Sequence, residues 1–378
     1  MKNNDNIVVT GTSAISALGL TIDKAINKLK NSQKGNIQNN CFKMPEKDIN
    51  TVQSLYNSGE ISIDMAVYSV AGALENAKIK KKEIPDDTIV IYSSSKGGVD
   101  SLLKACKSEV NMGNNFFNYL PSSALSHVCS YIGKNLAAMN LVSACSTGLY
   151  SIIEAYHAVK RGHSLAIAGT TESSLNPLII SAFANMKALT KDKIMPFDKK
   201  RNGFIMGQGA GCLILESEQR AKKRGANILC KITGLGRFSD TFHVTALDEA
   251  GEVIAMAIEK ALNGNLNVDW INSHGTGTKI NDLAEYNAFK KIWKNDLKNI
   301  PVNSLKPYFG HLLGASSTVE TIYAIHCMNE GFIPANLNLN EPEFDLNLST
   351  QTVYKDINRF IKLSHGFGGH IGSLVLEK

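Results

Sequence analysis

A cysteine stands where an apolar run gives way to a helix-like pattern. Residues 141–148 read Leu-Val-Ser-Ala-Cys-Ser-Thr-Gly, and the apolar spacing over 148–160 is helical. That spacing places Cys145 at a helix N-terminus, where unpaired N–H groups and the positive end of the helix dipole favour thiolate over thiol. Ala144, Ser146 and Gly148 are small and leave room above the sulfur. The expectation is an acyl-accepting nucleophile with a lowered pKa. The competing reading is a small buried cysteine in a tight turn. The other six cysteines have no comparable setting and read as packing residues.

Two of the nine histidines share a different setting. His274 ends the run Trp270-Ile271-Asn272-Ser273 and opens Gly275-Thr276-Gly277-Thr278. His311 follows Ser304-Leu305-Lys306-Pro307-Tyr308-Phe309-Gly310 and precedes Leu312-Leu313-Gly314. Both stand just past a strand and among glycines, where α/β proteins place functional groups. Taken singly, each is as well explained by a hydrogen-bonded structural role. Lys306 is the lysine beside this group, with a solvated charge as its plain alternative. Asp282 and Glu285 fit an ordinary solvated helix start.

The elements that must position these residues alternate. Residues 7–10, 89–93, 165–168, 211–215, 270–272, 302–304 and 373–376 read as buried strands. Residues 63–77, 148–160, 252–262, 282–292 and 318–329 read as helices. The alternation predicts an α/β fold with helices on both faces of a largely parallel sheet. A charged surface connector is expected over 216–225, dividing the chain into 1–225 and 226–378. Gly207–Gly211 lies between apolar runs and reads as close backbone packing or a bulge.

The totals exclude several classes. The 378 residues are 43% hydrophobic and 20% charged, ordinary for a globular protein. No apolar run reaches membrane-span length, and the N-terminus has no signal-peptide core. Odd, scattered cysteines argue against a disulfide framework, and no CxxC or HExxH supports a metal site. The net charge of +6 suits an acidic partner, but basic clusters with interleaved aromatics are missing, so nucleic acid is not expected. A cytoplasmic location is expected.

In combination these pieces resemble the β-ketoacyl-acyl-carrier-protein synthases, condensing enzymes of the thiolase fold. The likeness rests on Ser143–Gly148, on Asn272–Thr278 with Asp282 and Glu285, on Ser304–Ala315 with Glu320, on Met195–Phe204 with Gly207–Gly211, and on Gly366–Gly369. It implies a five-layer αβαβα fold of two related halves. It also implies a homodimer, or a heterodimer with a related chain-length-factor subunit lacking the cysteine. The chemistry implied is decarboxylative condensation of a Cys145-bound acyl chain with malonyl-acyl-carrier protein. His274 and His311 would hold the enolate oxygen, and Lys306 and Glu320 would hold the histidines. The N–H groups of Cys145 and His365 would form the oxyanion hole. Thr276, Thr278 and Thr245 would bind the 4′-phosphopantetheine arm of the carrier protein, with no intrinsic cofactor. Phe183, His365 and Phe367 would line the substrate, and Lys187 would dock the carrier protein.

The chain departs from the usual fatty-acid form in two ways. His365 stands where an aromatic residue is expected before Gly-Phe-Gly-Gly, and His370-Ile371 follows that loop. A histidine gate predicts primers that are polar, aryl-capped or polyunsaturated, hence specialised polyketide or aryl-polyene synthesis above housekeeping fatty-acid elongation. Relative to that form, residues are expected to be missing between about 19 and 63, and Ser58–Met65 carries no basic docking cluster. The competing classes are a non-catalytic subunit that only sets chain length and an acyltransferase or thiol hydrolase without condensation. A thiolase is disfavoured because no cysteine follows Cys327.

Overall fold

The computed structural model describes residues 5–107 and 117–378. Ten strands form one sheet: β1 (Ile7–Ser16), β2 (Ile89–Ser93), β3 (Ala137–Met139), β4 (Leu165–Glu172), β5 (Gly209–Ser217), β6 (Cys230–Ser239), β7 (Trp270–Asn272), β8 (Val302–Asn303), β9 (Arg359–Gly366) and β10 (His370–Glu377). Their order is β8-β7-β9-β10-β6-β1-β5-β4-β2-β3. Read outward from the centre, β1-β5-β4-β2-β3 and β6-β10-β9-β7-β8 have the same pattern. In each half the first two pairings are antiparallel and the outer two parallel. The two halves meet where β1 pairs with β6 over three residues.

The sheet is therefore mixed rather than largely parallel. The antiparallel members β6, β9 and most of β10 went unread because glycines and lysines interrupt their apolar runs: Cys230–Ser239 is CKITGLGRFS. The strands that were read are buried along all of their length, as β1 and β4 are, or all but their ends. Strands covered on both faces carry continuous rather than alternating apolar residues.

The covering helices are α1 (Ile61–Asn76), α2 (Ser123–Ile132), α3 (Thr147–Lys160), α4 (Pro177–Asn185), α5 (Glu252–Leu262), α6 (Lys279–Trp293) and α7 (Ser316–Glu330), and shorter helices fill the connections. Helices α1 and α2 cover the outer face of the first half, and α5 with α6 the outer face of the second. Between the halves lie α3 and α7, packed on each other and on strands from both. These are the five layers. The two central helices touch because Gly148 has no side chain: a Cβ there would lie 2.3 Å from Thr318 Oγ1. The Leu149 N–H donates to Ser317 Oγ at 2.8 Å across the same contact.

The expected charged connector at 216–225 does lie on the surface, with Gln219, Lys222, Lys223 and Gly225 exposed, but its first residue is not solvated. Glu216 is the penultimate residue of β5 and fully buried, paired with Arg220 and with Arg224 at 2.6 Å, and it accepts from Thr10. Burying a carboxylate needs such pairing, and the charges that suggested a surface run supply it. Gly207–Gly211 does pack closely: a Cβ at Gly209 would lie 2.5 Å from Ile15 O, and one at Gly211 would lie 3.0 Å from the Thr318 and Ile322 side chains. Among the described residues no helix is long and apolar enough to cross a membrane.

Candidate active site

Cys145 sits in a single 3₁₀ turn, Ala144–Ser146, that leads into α3. Ala144 adopts φ +47°, a left-handed backbone that costs a non-glycine residue about 1–2 kcal/mol. The turn is pinned to meet that cost. The Ser143 N–H donates to Thr147 Oγ1 at 2.9 Å, Thr147 Oγ1 donates to Ala144 O at 2.7 Å, and Ser364 Oγ donates to Cys145 O at 3.2 Å. The end of β9 lies directly on this turn, since a Cβ at Gly366 would be 2.7 Å from Ser143 O and 3.1 Å from Cys145 N. The second half repeats the device. Leu313 also has φ +47°, and a 3₁₀ turn over Leu313–Ala315 leads into α7, with Gly314 in the place of the cysteine.

His311 approaches from that second half. Its N–H donates to Ile205 O at 2.8 Å and its C=O accepts from Gly207 at 3.0 Å. Its Nε2 lies 3.2 Å from Cys145 Sγ and its Nδ1 2.7 Å from Ser316 Oγ. The His274 ring stands 5.5 Å from the His311 ring, centroid to centroid. His274 is placed by a loop that folds over a carboxylate: its N–H and that of Gly275 each donate to Glu285 at 2.7 Å. Asp282 accepts from Gly277 at 3.2 Å and from Phe197 at 2.8 Å. Both acids are buried rather than solvated at a helix start.

A charged layer lies behind the histidines. Lys306 Nζ is 3.3 Å from His274 Nδ1 and 2.9 Å from Glu320 Oε1. The other oxygen of Glu320 pairs with Lys362, whose Nζ also donates to Ser273 O at 3.1 Å. All three side chains are buried, so Lys306 is no solvated charge. Burial pushes His274 and His311 well below the usual histidine range, and Lys306 adds to it. Burial, then Lys306 and Lys362, lowers His365 to about 3. Burial brings Lys362 down to about 8 against the pull of Glu320, and burial followed by Asp282 raises Glu285 to about 7. The three imidazoles are neutral at neutral pH.

The thiol runs against expectation. Burial pushes Cys145 from 9.0 up to about 11, although Lys96 and Lys306 pull the other way. That rise is worth roughly 3 kcal/mol, more than the ~0.3–1 kcal/mol a helix terminus usually supplies. Desolvation therefore outweighs the helix end on which the sequence reading relied.

One cavity collects most of the predicted residues: Cys145, His274, His311 and His365 in its interior, and Thr276, Thr278 and Thr245 on its wall. Lys306 and Glu320 stand behind it. Phe183 and Phe367 also line it and stack at 6.3 Å. Phe367 is partly exposed, whereas His365 is 2% exposed and its ring lies 5.2 Å from that of His274. The aromatic at the opening is thus Phe367, and His365 belongs to the interior instead of acting as a gate. Its Nδ1 is 3.1 Å from Asn281 Oδ1, and its Nε2 has no partner among the described residues. Lys187 is exposed, one residue from Ala188 on the cavity wall. Lys362, Ser316 and Asn281 escaped the sequence reading. Only Lys362 left a signal, a lysine inside the apolar run of β9. Among the described residues no group of three or more His, Cys, Asp or Glu side chains could hold a metal.

Comparison with known proteins agrees with this geometry. Residues 60–221 match the family described as beta-ketoacyl synthase, N-terminal domain, and residues 229–340 its C-terminal domain. A 3-oxoacyl-[acyl-carrier-protein] synthase 2 of Vibrio harveyi is 30% identical over 98% of both chains. One from Staphylococcus aureus is 31% identical over 100% of this chain and 99% of its own. The ishigamide ketosynthase/chain length factor superposes with TM-score 0.90 at 24% identity, covering 99% of each chain. A type II polyketide ketosynthase, solved with its acyl-carrier protein and bound to a hexaketide, gives 0.89 at 24% identity over 99% of each. Those two show the thiolase-like fold. With both halves matched and identity of 30% or more along its length, the chain belongs to the β-ketoacyl synthase family.

Proposed function

We propose that this β-ketoacyl-acyl-carrier-protein synthase joins a Cys145-bound acyl chain to malonyl-acyl-carrier protein, releasing CO2 and giving a β-ketoacyl-acyl-carrier protein. The carrying observation is the convergence of Cys145 from one half with His311 Nε2 from the other at 3.2 Å, and with His274 on the same cavity. Cys145 takes the acyl group from a carrier-protein thioester, displacing the pantetheine thiol. The N–H groups of Cys145 and His365 receive the oxyanion. The malonyl thioester then loses CO2, and the enolate oxygen is held by hydrogen bonds from His274 and His311, an interaction of several kcal/mol when the donors are pre-aimed. The enolate carbon attacks the acyl carbonyl and Cys145 leaves. Lys306 and Glu320, with Lys362, hold His274 in place. Thr276, whose hydroxyl is 2.9 Å from that of Thr278, and Thr245 suit the pantetheine arm, and Lys187 beside the opening suits an acidic carrier protein. The chain divides at about residue 225 into its two halves. Assembly as a homodimer, or as a heterodimer with a cysteine-less chain-length factor, belongs to the same reading.

Specialised polyketide or polyene synthesis is favoured over housekeeping elongation by His365, which sets an imidazole beside the reacting atoms. Mass analysis of products from acyl- and malonyl-carrier proteins tests both levels. Wild type forms the two-carbon-longer ketoacyl product, Cys145→Ala does not become acylated, and His274→Ala is acylated but does not condense. A His274→Ala variant that condenses normally sinks the mechanism. Polar, aryl-capped or conjugated primers outcompete saturated ones, and His365→Phe narrows the gap. An unchanged preference sinks the specialised reading.

A further inference from the structure

Ser316 opens α7, is fully buried and does not line the cavity. Its hydroxyl oxygen accepts the Leu312 N–H at 2.7 Å and stands 2.7 Å from His311 Nδ1. A hydroxyl has one proton to give and two lone pairs to receive with. If Nδ1 carried the imidazole proton, Ser316 Oγ would receive two donors and its own proton would face no acceptor among the described residues, in a fully buried place. Buried donors without acceptors are rare and costly. The opposite arrangement satisfies every group. Ser316 Oγ–H donates to Nδ1, so the proton of the neutral ring is on Nε2 and points at Cys145 Sγ, 3.2 Å away.

We propose that Ser316 is a positioning residue that fixes His311 as the Nε2–H tautomer, turning it into a hydrogen-bond donor toward the reacting sulfur and carbonyl. It does for His311 what Lys306 does for His274. The Lys306 ammonium, a donor only, stands 3.3 Å from His274 Nδ1 and leaves that ring's proton on Nε2 as well. Two unlike devices, a hydroxyl and an ammonium, thus aim two Nε2–H groups into one cavity. The burial that keeps both rings neutral makes the tautomer matter, because a charged ring would donate from both nitrogens. With its proton on Nε2, His311 is no base for the thiol; it stabilises the thiolate and later the enolate oxygen.

The inference rests on the condensation reading, but the test separates the two. Nitrogen-15 NMR of the whole protein, labelled at its histidine nitrogens, reads the tautomer without any reaction; the His311 signals are assigned by their loss in His311→Asn. Wild type shows His311 protonated at Nε2 and bare at Nδ1. In Ser316→Ala the Nδ1–H form gains population and kcat for condensation falls about tenfold, the worth of one hydrogen bond, with KM for the malonyl donor nearly unchanged. Ser316→Thr, which keeps the hydroxyl, recovers the wild-type spectrum. Ser316→Ala fills no new space, so its thermal midpoint reports whether it is folded. A wild-type spectrum with Nδ1 protonated overturns the proposal, as does Ser316→Ala with tautomer and kcat unchanged. Absence of condensation by wild type overturns the functional reading and leaves the spectrum to decide this one.

Discussion

Burial favours the neutral forms of both the Cys145 thiol and the His311 imidazole beside it. Burial raises the Cys145 thiol to about 11 and depresses His311, so proton transfer to an imidazolium–thiolate pair is disfavoured from both sides. Reactivity then depends on a small thiolate fraction, which grows about tenfold with each pH unit below the pKa. The sign is fixed: raising pH creates the nucleophile, and nothing near neutrality saturates it. Iodoacetamide labelling of Cys145, followed by mass spectrometry, is therefore expected to accelerate steadily from about pH 7 to about pH 9. A plateau below pH 8 would show a preformed ion pair and refute this account. The sequence disclosed which residues meet but not their protonation, because depth of burial belongs to the assembled chain. It also missed Lys362 and Asn281, which act through groups 42 and four residues away, Glu320 and Glu285.

At the level of elements, position is set by close contacts between helix starts. Gly148 in α3 is the tightest of these. Alanine there would gain up to about 1 kcal/mol of helix propensity. Against that, its methyl would lie 2.3 Å from Thr318 Oγ1, 2.7 Å from Thr318 N and 2.8 Å from Ser317 Oγ. All three atoms belong to the buried start of α7, which cannot withdraw, and overpacking of this kind costs about 1–3 kcal/mol. The clash wins. Gly148→Ala should lower the chemical-denaturation midpoint and slow acylation, because the displaced helix carries the Cys145 turn with it. Stability equal to or above wild type would show that the two helices do not constrain one another. The periodicity of α3 and α7 was plain in the sequence, as was a glycine after Ser-Thr. Their mutual contact was not, because it joins residues about 170 positions apart. The strands β6 and β9 were illegible for a related reason. Pairing with β10 over most of their length overrides a weak local pattern of glycines and lysines.

Across the whole molecule, the two halves repeat one topology but do not supply separate cores. The N-terminal half offers the inner face of β1 and β5, and it is α7 of the C-terminal half that covers it. Thr318, Val319, Ile322 and Tyr323 are all fully buried there. Polar ties cross the same boundary: Thr170 Oγ1 to Thr318 Oγ1 at 2.6 Å, Ser16 Oγ to Tyr323 OH at 2.9 Å, and Thr12 Oγ1 to His326 Nε2 at 2.9 Å. Without the second half, residues 1–225 would expose this apolar sheet face and leave those hydroxyls without partners, losing area worth about 25 cal/mol per Å2 and the net gain of each hydrogen bond. A native domain retains only about 5–15 kcal/mol in total, so the loss of α7, which shares the central layer with α3, exceeds what the fragment can hold. The expected result is that 1–225 expressed alone shows no cooperative thermal transition, and that co-expression with 226–378 restores one together with Cys145 acylation. A sharp calorimetric transition in the lone fragment would mean that each half carries its own core, and the central layer would then be an interface between domains instead of the shared interior on which the position of Cys145 against His311 depends.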